Sequence, residues 1–402
     1  MGVDTTTAAG LLKRVYSDAD VENLQNMETE TWSRLKKSSK QSKGAGFYEC
    51  VNLEGNQRGQ GSMNELEGLR DPAAQVPQQA NIQNKVFAHC IRYSGLSLEV
   101  ADGDEGSFAD VATFQVEEGI KDSAKELNAQ LFRNGKGRLC QANGAVVATT
   151  AMPFDHGVPT HLRVGTYVDA INAGGVKQID SIKITAVDIS GSSITLASNQ
   201  SCDDDSWIYR ENVADNAPTD GKELAGLPLI VDDGTVLTTY QGIDRSVYNQ
   251  YDGISIAAGS ANISNDMLNR LRARMRIIGG KKPKKVISNT SQMRKYVDII
   301  IPAIEFKSGE DLDTQKTRVA TWNGMEWIED TDCGFDSIYM YDPEYVLKYV
   351  LYPLRLDSKS GSTIKWDSGY DAFVSYLKFY GNIGTPDPHG VAAYTGLATP
   401  TY

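Results

Sequence analysis

Cysteine, histidine and long apolar runs are all scarce in this sequence, and each scarcity removes a class of protein. The 402 residues hold five cysteines (Cys50, Cys90, Cys140, Cys202, Cys333), scattered, odd in number and never spaced as CxxC. Neither a disulfide scaffold nor a zinc knuckle is built that way, and the usage fits a reducing compartment. No window approaches about 18 consecutive apolar residues, and the opening Met1, Gly2, Val3, Asp4, Thr5, Thr6, Thr7 has no basic flank or apolar core. Neither a membrane span nor secretory export is expected. Met1, Gly2 and Thr6 match the short myristoylation pattern, but no polybasic stretch supports it. Lys and Arg number 40 against 52 Asp and Glu, a net charge of −12, which argues against a chain that coats nucleic acid over its whole surface.

What is present is an ordered, turn-rich composition, with 37 Gly and 19 Tyr, long enough for two or three domains. Residues 1–45 read as an arm carrying one helix. Asp18 or Asp20 caps it, Val21, Leu24, Met27, Thr31 and Leu35 form its apolar stripe with Trp32 alongside, and lysines follow its end. Residues 41–84 are too polar to build a core: Phe47, Tyr48, Val51, Leu53, Met63, Leu66, Leu69, Val76 and Ile82 are the large apolar residues there. So long and polar a stretch is either disordered or lies against something outside its own domain. Strand signal follows over 86–100. Ser107 to Arg133 is the strongest helix, about 40 Å long. Phe114, Val116, Ile120, Ala124, Leu127 and Leu131 form its buried face, and Glu117, Glu118, Lys121, Asp122, Lys125 and Glu126 its polar one.

Residues 161–212 change to an all-β pattern suggesting a small barrel or sandwich. From Gly221 the chain alternates: a strand at 227–231, a helix at 264–278 ended by Gly279 and Gly280, a strand at 285–287, and a helix from Asn289 with Gln292 in capping-box position. Strands follow at 318–327, 337–340 and 345–352, and an aromatic-rich strand pattern runs over 364–380.

Catalytic constellations do not assemble. Asp155, His156 and His161 with Cys140 invite a metal, yet the histidines are five apart in a loop rather than four apart on a helix, so two loop histidines are the better reading. His89 beside Cys90 reads as strand packing. Gly135, Gly137 and Gly144 follow a helix instead of opening one, the wrong order for cradling phosphate. Asp203, Asp204 and Asp205 read as a solvated turn. No catalytic, cofactor or metal residue is therefore expected, and the chain is read as no enzyme. One strip is distinctive: Arg270, Arg272, Arg274, Arg276, Lys281, Lys282, Lys284 and Lys285 against the single acid Asp266. Subunit contact is its first reading, and nucleic acid its second.

The order of these parts resembles the major capsid proteins of tailed bacteriophages with the HK97 fold. The resemblance rests on the polar arm, the extended excursion, a long helix ending in Phe132, Arg133, Asn134, Gly135, Lys136, Gly137, and the run from Ile263 and Ser264 to Gly279, Gly280, Lys281, Lys282, Pro283. It implies an α+β chain divided into an N-terminal arm (1–45), an extended loop across a neighbouring subunit (46–106), a spine helix and peripheral domain (107–154), a β-rich insertion domain (155–220), an axial domain (221–352) and a return to the peripheral domain (353–402). It implies a virion protein, assembled in the host bacterial cytoplasm as hexamers and pentamers into an icosahedral head. Its partners would be a scaffolding protein, a portal protein, a possible decoration protein and packaged dsDNA bound without sequence specificity, with no membrane and no cofactor. Inter-subunit contacts are expected from Phe47, Tyr48, Val51, Leu53, Met63, Leu66, Leu69, Arg270, Arg272, Arg274, Arg276, Lys281 and Lys282. Lys85 and Asn382 stand where that family's crosslinking pair could lie, but with no clear Glu partner no crosslink is expected. An encapsulin-like shell around a cargo enzyme is the main alternative. A carbohydrate-binding surface protein, and a hydrolase using Asp155, His156 and His161, rank lower.

Overall fold

The computed structural model describes residues 18–27, 29–44, 46–55, 58, 61–65, 71, 74–94, 105–188, 191–213, 221–235, 237–300, 321–358, 363–367 and 369–399. Two short helices, Asp18–Met27 and Thr31–Arg34, stand where the sequence reads as one. The strands that follow are β1 (Lys36–Lys37), β2 (Gly46–Glu54), β3 (Val76–Gln83) and β4 (Lys85–Ser94). After the long helix Glu105–Leu131 come β5 (Arg138–Ala142), β6 (Val146–Gly157), β7 (Tyr167–Ile171), β8 (Lys177–Asp188), β9 (Ser193–Cys202) and β10 (Trp207–Arg210). The remainder is β11 (Thr239–Tyr240), β12 (Ile243–Asp244), β13 (Ile254–Ala257), the basic helix Asn265–Gly279, β14 (Lys285–Ser288), helix Thr290–Ile300, β15 (Thr321–Trp322), β16 (Met325–Glu329), β17 (Ile338–Tyr341), β18 (Leu347–Leu356), β19 (Lys365–Asp367), β20 (Ala372–Gly384) and β21 (Val391–Thr395).

A mixed six-stranded sheet, β13-β21-β17-β14-β16-β15, is covered on both faces. Val286, Trp327, Met340 and Tyr394 point to Leu268, Leu271, Met275 and Met293 of the two flanking helices, while Ile287, Ile328, Tyr339, Tyr341 and Ala393 join the main core. Burial on both faces is why these strands read as nearly continuous apolar runs. Ser264 caps the basic helix by accepting from the Met267 N–H, and Gly280 closes it at φ 65°. The expected single strand at 318–327 is a hairpin: Asn323 and Gly324, at φ 50° and 77°, turn β15 into β16. Residues 227–231 form a short helix rather than a strand, with Pro228 in its first turn. Gln292 makes no capping box; its amide donates to the carbonyls of Phe335 and Ala398.

A second sheet runs β1-β18-β20-β19, with β4 on the far side of β20. One face packs on the long helix, bringing Ile91, Tyr93, Leu377 and Phe379 against Val116 and Ile120. Several expected boundaries move accordingly. Of the expected excursion 46–106, the strand β4 pairs within this sheet. The position 352 lies inside β18, and the C-terminal segment returns to the second sheet through β20, then crosses to the six-stranded sheet as β21. Part of the expected arm packs on the chain's own body. Val21, Trp32 and Leu35 are buried in the chain's own core, Trp32 sits edge-on to Phe379, and β1 pairs with β18. Residues 1–17 lie outside the described residues.

The all-β segment is a closed barrel, β10-β5-β6-β9-β8-β7. It begins at Arg138 rather than at 155, because β5 and β6 supply two of its staves. Its own apolar core includes Leu139, Met152, Phe154, Ile184, Ile194 and Ile208.

Candidate assembly surfaces and their anchorage

The excursion is a two-stranded ribbon. β2 and β3 pair antiparallel from Gly46 opposite Gln83 to Glu54 opposite Val76, and among the described residues neither strand pairs with a third. Such a ribbon is at best marginally stable in water by itself. Its root is fastened hard. Phe47 and Ile82 are buried against Tyr349, with the Phe47 and Tyr349 rings 5.3 Å apart. The Tyr349 hydroxyl donates to Glu49 at 3.1 Å, Lys40 pairs with the same carboxylate at 3.2 Å, the Asn81 N–H donates to the Gln241 carbonyl, and Asn382 donates to the Gln83 carbonyl. Gly46 is required at that root, since a Cβ there would lie 2.7 Å from the Ile82 carbonyl oxygen.

Anchorage at the root divides the expected contact residues. Phe47 is spent inside its own chain and is not offered to a neighbour, which corrects the expectation. Val51 and Leu53 pack partly on the chain's own core, Tyr48 is half-buried, and Met63 is exposed farther out. Leu66 and Leu69 lie outside the described residues. Near the ribbon's outer end Arg58 is paired with Asp71, while Glu54 and Glu65 are exposed.

The cationic strip is not one face. On the basic helix Arg270 and Arg274 occupy one flank of the buried Leu271 and Met275 row, and Arg272 and Arg276 the other. Beyond the helix three of the four lysines are consumed internally: Lys281 by Asp387 and the Tyr345 hydroxyl, Lys284 by Asp342 and Glu344, Lys285 by Glu326. Lys281, expected at an inter-subunit contact, is an internal tie in its own chain. The four arginines and Lys282 have no carboxylate in bridging range among the described residues. Beside Arg270 and Arg274 the helix exposes Ile277, 83% accessible, and Ile278.

A third feature escapes sequence reasoning: a buried ionic junction where barrel, long helix and six-stranded sheet meet. Arg133 forks to Glu126 at 2.8 Å and Glu223 at 2.9 Å, and Arg210 of the barrel reaches the second oxygen of Glu126 at 2.7 Å. Glu126 sits in the expected polar face of the long helix, yet the last turns of that helix are buried all round. Burial would raise its pKa, but Arg133 and Arg210 outweigh burial and bring it to about 2. Glu223 moves the other way, raised by burial against the pull of Arg133. His161, expected as a loop histidine, is buried in this junction. Its Nδ1 accepts from Arg133 at 3.3 Å and its Nε2 meets the Asp332 carbonyl at 3.0 Å, so one nitrogen accepts, the other donates, and the ring is neutral. Burial, then Arg133, hold its pKa well below the usual value. Asp332 is pushed up to about 6 by burial, with Asp330 adding to the rise, while Asn128 donates to both aspartates. This cluster offers no nucleophile beside a base; it clamps three parts of the chain together.

The other expected positions resolve in the same way. Asn382 is consumed internally: its oxygen accepts from the N–H groups of Ala225 and Ile383, and its nitrogen donates to Gln83. Lys85 donates to the Gly221 carbonyl. Asp203 and Asp204 tie the loops at one end of the barrel, to Asn172 and to the Gly144 N–H. Among the described residues no three His, Cys, Asp or Glu side chains form a group that could hold a metal, and no helix is long and apolar enough to cross a membrane.

No protein-family model matches the sequence, and the curated proteins yield no match. Solved structures do. A chain of the cyanophage A-1(L) capsid asymmetric unit is 9% identical, with 92% of this chain and 93% of that chain covered at a TM-score of 0.57. The capsid of Myoviridae phage XM1 gives 9% identity, 91% of each chain and a TM-score of 0.48. The holo-SrpI encapsulin complex from Synechococcus elongatus PCC 7942 gives 7% identity, 92% and 89%, and 0.43. The last two are too distant in shape to weigh in the argument, and at such identities the likeness concerns architecture alone: along nearly its whole length, this chain has the fold of the cyanophage capsid chain.

Proposed function

We propose that this chain is the major capsid protein of a tailed bacteriophage, a structural protein whose copies close into an icosahedral head around double-stranded DNA. The observation that carries the reading is the ribbon 46–83: rooted in the body, polar, and with neither strand paired to a third among the described residues, in a chain that has the fold of a capsid chain along nearly its whole length. A ribbon that cannot be stable alone acquires partners when identical copies surround it, and each weak contact is multiplied around a closed shell. The barrel is then an insertion between the long helix and the axial part, and its ionic junction fixes its orientation. The exposed Ile277 beside Arg270 and Arg274 favours subunit contact over nucleic acid for that flank, because an arginine-framed apolar side chain suits a protein interface. The role is non-enzymatic. Scaffold, portal and decoration proteins would be partners, and the virion its location.

Expression followed by electron microscopy tests this: closed particles are expected. Replacing residues 56–74 by a short turn should leave soluble, folded subunits or pentamer-sized pieces. Closed particles from the shortened chain would refute the reading. An encapsulin-like shell, the rival within the same fold, would copurify with a cargo protein instead of with portal, scaffold and DNA.

A further inference from the structure

Helix Asp18–Met27 packs on β18, and between them the two elements leave a cavity of about 60 Å³. Trp32, Leu354 and Phe379 line its apolar side. Its polar side has donors in surplus. The Gln25 side chain lines it at only 5% exposure, and the Gln25 Nε2 has no hydrogen-bond partner. The Lys348 ammonium donates to the Trp32 carbonyl at 2.9 Å and stands 5.4 Å from the centre of the Trp32 ring. Among the described residues no carboxylate lies in bridging range of it. Lys37 holds the matching register position on the neighbouring strand β1, so a second cation stands beside the first. The single acid among the described residues lining the cavity is the exposed Glu22.

A buried ammonium ordinarily faces a counter-charge, and a buried amide an acceptor, because each gives up its water on burial. Here both donors border one space. Burial brings the Lys348 pKa down to about 8, with Lys37 adding to the fall and Glu22 opposing it, the response of a cation short of negative charge around it. We infer that this cavity binds a small carboxylate with a short apolar tail, its oxygens accepting from Gln25 Nε2 and Lys348 Nζ and its tail lying on Trp32, Leu354 and Phe379. One negative charge and two acceptor oxygens answer one ammonium and one amide. Phosphate suits the cavity less: it brings more charge and more oxygens than these donors satisfy, and nothing apolar for the tryptophan wall. Gln25 belongs to the arm and Lys348 to β18, so a bound carboxylate bridges the two and fastens the arm to the sheet.

Nothing in this site depends on shell assembly, so full-length, unassembled subunits serve for the test. Their thermal midpoint is measured at neutral pH in sodium propionate, in sodium phosphate and in sodium chloride at equal ionic strength. Propionate should raise the midpoint along a saturating curve, as a ligand of the folded state does, and phosphate should behave as chloride. Lys348→Met and Gln25→Leu should each weaken the response about tenfold or more, through loss of one hydrogen bond to a charged ligand. Gln25→Glu supplies the carboxylate from the chain itself, so it should melt above the wild type without ligand and ignore propionate. In the wild type, propionate should also slow acylation of Lys348, followed by peptide mass spectrometry near its pKa, because a paired ammonium holds its proton more tightly. A midpoint that never saturates, an equal rise in phosphate, or a propionate response kept by Gln25→Glu would overturn the site.

Discussion

Two groups at the ionic junction should respond to acid in opposite senses, and their opposition can be measured. Asp332, facing Asp330, Asn128, Arg133 and Arg163, has a folded pKa raised from 3.8 to about 6. The folded state therefore holds that proton more tightly than the unfolded chain does. Its contribution to stability is full below pH 3.8 and is lost as pH rises through about 6, an interval corresponding to roughly 3 kcal/mol. His161, facing Arg133, Glu126, Arg163 and the Asp332 carbonyl, has a folded pKa well below 6.5. Here the unfolded chain takes up the proton and the folded one does not, so stability is present above pH 6.5 and declines as pH falls, by up to about 1.4 kcal/mol per pH unit. Glu126, lowered from 4.5 to about 2, adds a loss of its own once pH falls through about 4.5.

Between pH 6 and pH 4 the two slopes oppose each other in the wild-type chain. Asp332→Asn removes the gain on acidification, so its stability relative to wild type should fall by roughly 2–3 kcal/mol from pH 6 to pH 4. His161→Gln, which keeps one donor and one acceptor, removes the loss, and its relative stability should rise over the same interval. Urea unfolding of unassembled subunits, followed by tryptophan fluorescence at half-unit pH steps, reads both. Relative stabilities that are flat with pH in both variants would refute the buried neutral histidine and the raised aspartate together.

Further substitutions test the anchorage and the basic helix. Phe47→Ala should cost about 3 kcal/mol at the ribbon root and appear as accelerated amide exchange confined to 46–54 and 76–83, with the barrel unaffected. Asn382→Ala leaves two N–H groups and the Gln83 carbonyl without their partner and should destabilise the subunit by roughly 2–3 kcal/mol in a thermal melt. Ile277→Asp, at a position 83% accessible, should change subunit stability by less than about 0.5 kcal/mol yet abolish particles visible by electron microscopy.

How much of this was legible in the sequence depends on how local the cause was. The long helix, the capped basic helix with its glycine stop and the short strands of the barrel announce themselves through periodicity, and the ribbon through its polarity. Asn323 and Gly324 were legible too, as the strongest two-residue hairpin signal, but a reading of one strand over 318–327 passes across them. The start of the barrel was not: β5 and β6 are linked to β9 and β10 by register alone, across more than forty residues.

Least legible was the ionic junction. Glu126, Arg133, His161, Arg210, Glu223 and Asp332 are each unremarkable in sequence, and on a helix diagram Glu126 falls among solvent-facing charges. A charge is called to the interior only by its counter-charges, and these come from the barrel, the chain's exit from it and a loop of the six-stranded sheet. The same logic sorts the charges of the strip 264–285. Sequence shows eight cations in a row; the fold hands Lys281, Lys284 and Lys285 to internal acids and leaves the arginines in two separate rows. Charges that find partners at home hold the subunit together, and those left without one are where a second molecule has something to bind.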